Sequence, residues 1–563
     1  MMSIERHLLS GNEALAFAAR QAGVSLGTGY PGTPSSEILE QFGILGGRAQ
    51  WAPNEKVALE VGIGVAFARG RALVTMKHVG LNVAADPFFS AAFTGVDGAL
   101  VIVVADDPGM SSSQNEQDSR RFALAAGVPM LEPSDSQEAY DLMREALSLS
   151  EQWHSPVLLR ITTRVCHSKT AVTFRNDARP MPATAFTRNI QEKVMIPAHA
   201  RPAHRRLRER LKAIQAWNEA SSLNRRIGEG NALGIITSGV AFAHAREAVI
   251  TGSAGIPAGS YAAITQKQTD RSDRSDPSDS AGASSVSFFK IGMTYPLPLE
   301  RLREFAASVD RCIVIEEGDP YLVESLRMAG IAVEDKPEAF RFGELNVDRV
   351  RRILAGDLTP ETPRTGAKPP ELCAGCPHRM TFTTLDRLNC IVSGDIGCYT
   401  LGALPPFEAM DSQLCMGASI GIGLGLRHTL RDEEARRVVS VIGDSTFFHS
   451  GLTGLAEMVY NPPRSGHILL ILDNGTTAMT GLQEHPGTGH ALNHRSAATQ
   501  ILPENLARAM GVPNVHVVEY GRALEEALEV AMRKDELTVI VMRQPCRLNV
   551  KKPATCEPEN GND

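Results

Sequence analysis

Two short turns hold the residues whose types and spacing most directly suggest chemistry. Gly443, Asp444 and Ser445 end the apolar run VVSVI, and Asp473, Asn474, Gly475 and Thr476 end the run HILLIL. Such β-branched and aliphatic runs, each stopping at a polar turn, read as buried parallel strands. The thirty positions from Asp444 to Asn474 fit one βαβ crossover. Both turns then open at the same sheet edge, where a carboxylate, a side-chain amide and a backbone carbonyl can converge on one hard cation. Mg²⁺ takes such oxygen ligands and sits beside phosphates. Asp and Asn are also ordinary in strand-end turns, so the pair of turns is a sharper signal than either alone.

The pair resembles the metal motif of thiamine diphosphate enzymes. That resemblance implies Asp444, Asn474 and the Thr476 carbonyl as Mg²⁺ ligands, with Gly443 and Ser445 beside the diphosphate. It also implies a Glu from another domain that protonates the aminopyrimidine ring. Glu55 opens the helical stretch NEKVALEVGIGVAFARG, whose small-residue face carries Gly62, Gly64, Ala66 and Ala68. A Glu at a helix start equally serves the helix dipole, but Glu followed nine residues later by Gly64 and then VAFARG matches the pyrimidine domain of these enzymes and implies Glu55. Glu60 falls on another side of the helix and reads as structural.

The turn YPGTPSSE, Tyr30 to Glu37, offers Gly and Pro for a tight bend and hydroxyls for a helix start, which any capped helix would use. It is similar to the corresponding turn of 2-oxoacid:ferredoxin oxidoreductases, which implies that Thr33 reaches the oxoacid. NEKVALEV, TMKHVGLNVAADP, ADDPGMSSSQNEQDSR, LCAGCPHR and SGDIGCYTLG extend the resemblance over about residues 8 to 548, to the alpha subunits of indolepyruvate ferredoxin oxidoreductases.

Lys77, His78 and Asn82 follow a strand end, where they line a cleft, with a catalytic, substrate-contacting role expected for Lys77 and His78, or stand as solvated loop residues. In Ser111 to Arg120, Asp118 and Arg120 can pair, and both dimer contact and cleft lining are open. Cys373 and Cys376 form a CxxC suited to zinc or redox cycling, yet a structural zinc site takes four ligands and no second CxxC exists. The resemblance instead places Cys376, His378 and Asp395 near the thiazolium and diphosphate; a buried histidine in a structural bond is the plainer alternative. MGASIGIGLGL, containing Gly417, suits close approach to the diphosphate or tight helix packing.

The chain has 563 residues, enough for several domains, and a net charge of −7 with no dominant basic face, which disfavours nucleic acid as a partner. No apolar run reaches the roughly 18 residues of a membrane span, and the amino terminus lacks a signal-peptide pattern, so a cytoplasmic setting is expected. The nine cysteines have no framework spacing and read as reduced thiols.

The expected fold is α/β and multidomain, with doubly wound parallel sheets. A pyrimidine-binding domain is expected over residues 1–185, a basic helical connector over 186–230, and a transketolase carboxyl-terminal-like domain over 231–356. The last is interrupted at about 265–285 by a Ser-, Asp- and Arg-rich insertion of disordered composition. A Pro-rich linker over 357–370 leads to a diphosphate-binding domain over 371–546 and a tail over 547–563.

The resemblance implies oxidative decarboxylation of a 2-oxoacid, an arylpyruvate such as indolepyruvate, to an acyl-CoA. Glu55 would promote the imino tautomer of thiamine diphosphate, and Mg²⁺ would hold the diphosphate. Coenzyme A is the co-substrate. A separate beta subunit, an electron-accepting partner bearing a flavin or cluster, and a homodimer of alpha within a hetero-oligomer complete the implied enzyme. Relatives commonly end in a ferredoxin-like domain whose thiolates hold [4Fe–4S] clusters. Here Cys546 and Cys556 are too few and too widely spaced, so no iron–sulfur cluster is expected on this chain. That opens two rival readings, a non-oxidative decarboxylase or carboligase and a non-catalytic assembly subunit.

Overall fold

The computed structural model describes residues 6–250, 285–361 and 370–549. The insertion expected at about 265–285, all but its last residue, lies outside these, as do 362–369 of the linker and 550–563 of the tail. The described chain forms two compact units, one of residues 6–50 and 55–361 and one of residues 51–54 and 370–549.

In chain order, the strands of the first unit's two larger sheets are β1 (Leu26–Gly29), β2 (Ala49–Trp51), β3 (Arg71–Lys77), β4 (Ala99–Asp106), β5 (Met130–Leu131), β6 (Val157–Thr162), β7 (Arg225–Ile227), β8 (Leu233–Ser238), β9 (Val286–Ile291), β10 (Met293–Tyr295) and β11 (Arg311–Ile315). The seven-stranded sheet runs β10-β5-β6-β4-β3-β1-β2 and the four-stranded one β11-β8-β9-β7. In the seven-stranded sheet, β1, β3, β4, β6 and β5 pair in parallel, and β10 is antiparallel to β5. β3 and β4 are buried along their whole length, as strands covered on both faces must be.

Three helices carry or cover polar residues of this unit: α1 (Glu55–Phe67), α2 (His78–Val83) and α3 (Ser119–Ala126). A fourth, α4 (Pro197–Ala220), buries Leu207, Leu211 and Ile214, the one-sided spacing of an amphipathic helix.

The second unit holds β12 (Ile391–Ser393), β13 (Val438–Gly443), β14 (His467–Asp473), β15 (Asn514–Val518) and β16 (Leu537–Arg543), ordered β12-β13-β14-β16-β15 and parallel throughout. Period-two alternation divides its side chains between two cores. Val439, Val441, Ile468, Leu470 and Leu472 pack in one, and Ile442, Leu469 and Ile471 in the other. Burying both faces fixes the register, so the ends of β13 and β14 stay level: Gly443 pairs with Leu472. Helices α5 (Pro377–Arg387), α6 (Ala418–Thr429) and α7 (Leu452–Tyr460) belong to the same unit.

Candidate functional site

The level ends of β13 and β14 bring the two polar turns together. Asp444 accepts hydrogen bonds from Ser445 N (2.8 Å) and Gly475 N (2.8 Å), and Thr477 Oγ1 donates to Ser445 Oγ at 2.8 Å. Asn474 Oδ1 accepts from Thr476 N at 3.0 Å, folding the second turn back on itself. Gly475 has φ +71°, a left-handed conformation that suits glycine. A Cβ on Gly443 would lie 2.8 Å from the Tyr399 ring, so glycine is required at the end of β13.

Burial pushes the Asp444 carboxyl up, but the His485 ring and the Ser445 and Gly475 amides outweigh it and hold the carboxyl below its usual range. Asp473 moves the other way, raised by burial and by the Asp444 charge although Arg543 bonds it at 2.7 Å. With Asp473 held by Arg543, the Asp444 carboxylate and the Asn474 amide oxygen are the oxygen donors suited to a hard divalent cation. His378 is buried, its pKa lowered by burial to about 4 against the opposing pull of Asp444, and its Nδ1 has no hydrogen-bond partner. A buried nitrogen left open and within the field of Asp444 is consistent with a polar group completing the site.

Asp395 and Gly417 are differently engaged. Asp395 accepts from Ile396 N at 2.8 Å, Gly417 N at 2.9 Å and Ser419 N at 3.0 Å. Two amides at the start of α6, Gly417 N and Ser419 N, are therefore taken by a carboxylate of the chain itself, while Ala418 N between them bonds the Cys415 carbonyl, a use of these residues that sequence did not suggest.

Cys376 and His378 line a cavity together with Cys373, Cys398, Asn474 and Cys546. All four cysteines are free thiols. Burial, with the neighbouring thiols adding to it, pushes Cys398 up to about 11. In sequence Cys546 stands isolated from the CxxC, and the fold removes that isolation. Cys373 and Cys376 precede α5, Cys398 follows β12 and Cys546 follows β16, so strand ends collect what sequence separates. Among the described residues no three His, Cys, Asp or Glu side chains are grouped to hold one metal ion.

The first unit gathers its own polar residues at the carboxyl ends of β1, β3 and β4. Glu55, buried at the start of α1, packs against Gly80 of α2, where a Cβ would lie 2.5 Å from Glu55 Cγ and Oε1. Thr33 is half-buried in the turn after β1, and the neighbouring Gly32 packs on Lys77, where a Cβ would lie 3.1 Å from Lys77 Cβ. Lys77 and His78 are buried rather than solvated. Lys77 Nζ donates to Ser112 O (3.0 Å) and Ser112 Oγ (3.2 Å), and His78 Nε2 donates to Asn115 O at 3.3 Å. Burial lowers both pKa values. Asp118 and Arg120 pair at 2.7 Å, and Arg120 reaches Glu316 at 2.7 Å as well.

Known proteins share both halves of this arrangement. Residues 395–542 match the family described as thiamine pyrophosphate enzyme, C-terminal TPP binding domain, and residues 17–210 match pyruvate flavodoxin/ferredoxin oxidoreductase, thiamine diphosphate-binding. Indolepyruvate oxidoreductase subunit IorA of Archaeoglobus fulgidus is 36% identical to this chain, over 97% of the chain and 87% of the relative. The chain belongs to the indolepyruvate oxidoreductase subunit IorA family. The IorA subunit of Methanothermobacter marburgensis is 38% identical over the same shares. Membership in this thiamine diphosphate-dependent 2-oxoacid oxidoreductase family assigns thiamine diphosphate-binding domains to both matched segments. A 2-oxoglutarate:ferredoxin oxidoreductase from Magnetococcus marinus, solved with 2-oxoglutarate, coenzyme A and succinyl-CoA bound, has a TM-score of 0.48 at 16% identity, covering 63% of this chain and 66% of that one, too remote to carry an argument. No helix among the described residues is long and apolar enough to cross a membrane.

Proposed function

We propose that this chain is the catalytic alpha subunit of a thiamine diphosphate- and Mg²⁺-dependent enzyme. It oxidatively decarboxylates a 2-oxoacid, an arylpyruvate such as indolepyruvate, to the acyl-CoA, with coenzyme A as co-substrate and a separate beta subunit, in the cytoplasm. The observation that carries the reading is the meeting of Asp444 with the Asn474 turn at the carboxyl ends of two paired parallel strands.

Bound thiamine diphosphate would supply the electron sink that takes up the electron pair of the broken carbon–carbon bond as the carboxylate leaves as carbon dioxide. Asp444, Asn474 Oδ1 and the Thr476 carbonyl would hold Mg²⁺, while Arg543 ties back the Asp473 carboxylate. The Glu55 carboxyl would exchange a proton with the aminopyrimidine nitrogen. Thr33 would touch the oxoacid, and Lys77 and His78 would fix the loop that carries Ser112 and Asn115.

Oxidation requires a place for two electrons before they reach an acceptor protein. Four thiolates are what a [4Fe–4S] cluster takes, and such a cluster supplies a one-electron relay. Cys373, Cys376, Cys398 and Cys546 would hold one beside Asn474 and His378.

The test is anaerobic purification followed by assay of thiamine diphosphate, iron and acid-labile sulfide, and analysis of products from indolepyruvate. Acyl-CoA as product, with iron and sulfide lost in Cys398→Ser and Cys546→Ser, supports the reading. An aldehyde product would replace the oxidative assignment with the non-oxidative one. Absence of iron from the anaerobic wild-type chain would remove the cluster.

A further inference from the structure

Helix α4 carries Arg201, Arg205, Arg208 and Lys212 at i, i+4, i+7 and i+11, one stripe along its length, and all four are exposed. Among the described residues none of them forms an ion pair; Arg208 Nε reaches only His204 Nε2, at 3.3 Å. Cations at i,i+4 spacing repel one another and destabilise a helix. Arg206 and Arg210 repeat the pattern on the flank, where burial and the Arg206 charge bring Arg210 down to about 10. The helix has no acid in its first turn and no base in its last, so these charges do not serve its dipole. In a chain of net charge −7, four cations with the one exposed acid Glu209 among them leave a local excess of positive charge that weakens its own helix.

The segment entering α4 is exposed in a different way. Phe186, Ile190, Val194 and Ile196 are 66%, 49%, 44% and 48% exposed within eleven residues. Apolar side chains gathered beside charge mark protein interfaces more than nucleic-acid ones. A bilayer is disfavoured for a separate reason, since the apolar side of α4, Leu207, Leu211 and Ile214, is already buried in the protein and leaves no face to insert.

We propose that the segment from Phe186 to Lys212 is a docking surface for a partner polypeptide that presents an acidic face with apolar residues at its edge. Docking would relieve the repulsion along α4 and cover the apolar segment. Complementary charge of this kind mainly speeds association and sets partner choice, and it is screened by salt.

The probe is a fluorescein-labelled oligoglutamate peptide with interspersed leucines, titrated with the full chain and followed by anisotropy. We expect binding that weakens steeply with ionic strength, and at least a tenfold loss when Arg201, Arg205, Arg208 and Lys212 are all changed to Gln, with circular dichroism unchanged and melting temperature equal or higher. A peptide affinity untouched by that variant would overturn the proposal. So would tighter, stripe-dependent binding to labelled duplex DNA or to phosphatidylserine vesicles, or a change in the oligomeric state of the chain alone. None of these readouts depends on turnover, so the docking surface and the proposed activity can fail separately.

Discussion

His485 Nε2 donates to Asp444 Oδ2 at 3.1 Å, across 41 residues of sequence, and both side chains are almost fully buried. His485 Nδ1 accepts from Gly487 N at 3.1 Å, so the ring proton sits on Nε2, facing the carboxylate. The histidine therefore holds one Asp444 oxygen in place, much as outer partners orient metal-binding carboxylates. Replacing His485 with Leu should weaken Mg²⁺-dependent thiamine diphosphate binding by about 10-fold or more. His485→Gln, which keeps an N–H donor, should recover part of the loss. Calorimetric titration of the two variants decides it, and equal affinities in both would reduce His485 to packing.

Glu55 and Gly80 give a second prediction. Glu55→Gln should leave folding and cofactor binding intact and remove most turnover. Gly80→Ala should act on the same carboxyl from outside, because its Cβ would collide with Glu55 Cγ and Oε1. A fall in kcat with little change in KM is expected for both, whereas normal turnover in Gly80→Ala would mean that the position of Glu55 is not critical.

Arg120 is 1% exposed and holds Asp118 and Glu316, so its loss leaves Glu316 with the Leu322 and Val323 amides and Asp118 with Arg160, at 4.0 Å, as its remaining ion-pair partner. Removing one partner of a buried ion network costs about 3–5 kcal/mol. Arg120→Met should lower stability by that order in urea unfolding, and the additional change Glu316→Gln should return part of it.

Glu317 supplies a pH dependence. Burial raises its carboxyl to about 7 from an ordinary value of 4.5, with Glu132 and Glu344 adding to the rise and Arg160 and Arg120 opposing it. Between those two values the folded chain holds a proton that the unfolded chain has lost. Stability from this group therefore falls as pH rises from about 4.5 to 7 and is level above that. The difference amounts to roughly 3 kcal/mol. Glu317→Gln should gain stability relative to the parent at pH 8 but not at pH 4.5, as read from urea midpoints. A constant difference at both would show that the carboxyl titrates normally.

What the sequence revealed was what is local. The runs VVSVI and HILLIL with their polar turns gave the parallel strands, and the Leu207, Leu211, Ile214 spacing gave the buried side of α4. What it hid depends on the fold bringing distant loops together. His485 lies in an irregular stretch with no periodicity to mark it. Cys398 and Cys546 look unrelated to the CxxC until the ends of β12 and β16 set them around one cavity. Lys77 and His78 are buried because the loop from Asp107 to Asp118 folds over them, held by Asp107, which accepts from Ser112 N at 2.8 Å and Ser113 Oγ at 2.6 Å. The polar composition of that loop gives no hint of the closure.

The Asp395 cap on α6 has a further consequence. A helix whose leading amides are free attracts phosphate by itself, but here a resident carboxylate already occupies Gly417 N and Ser419 N. A diphosphate brought to the Asp444 turn would meet an anion at that helix start, which leaves more of its charge for the cation to balance. Possession of the cofactor would then be a question of metal supply: chelation would empty the protein, and no excess of the organic molecule would refill it until a divalent ion returned.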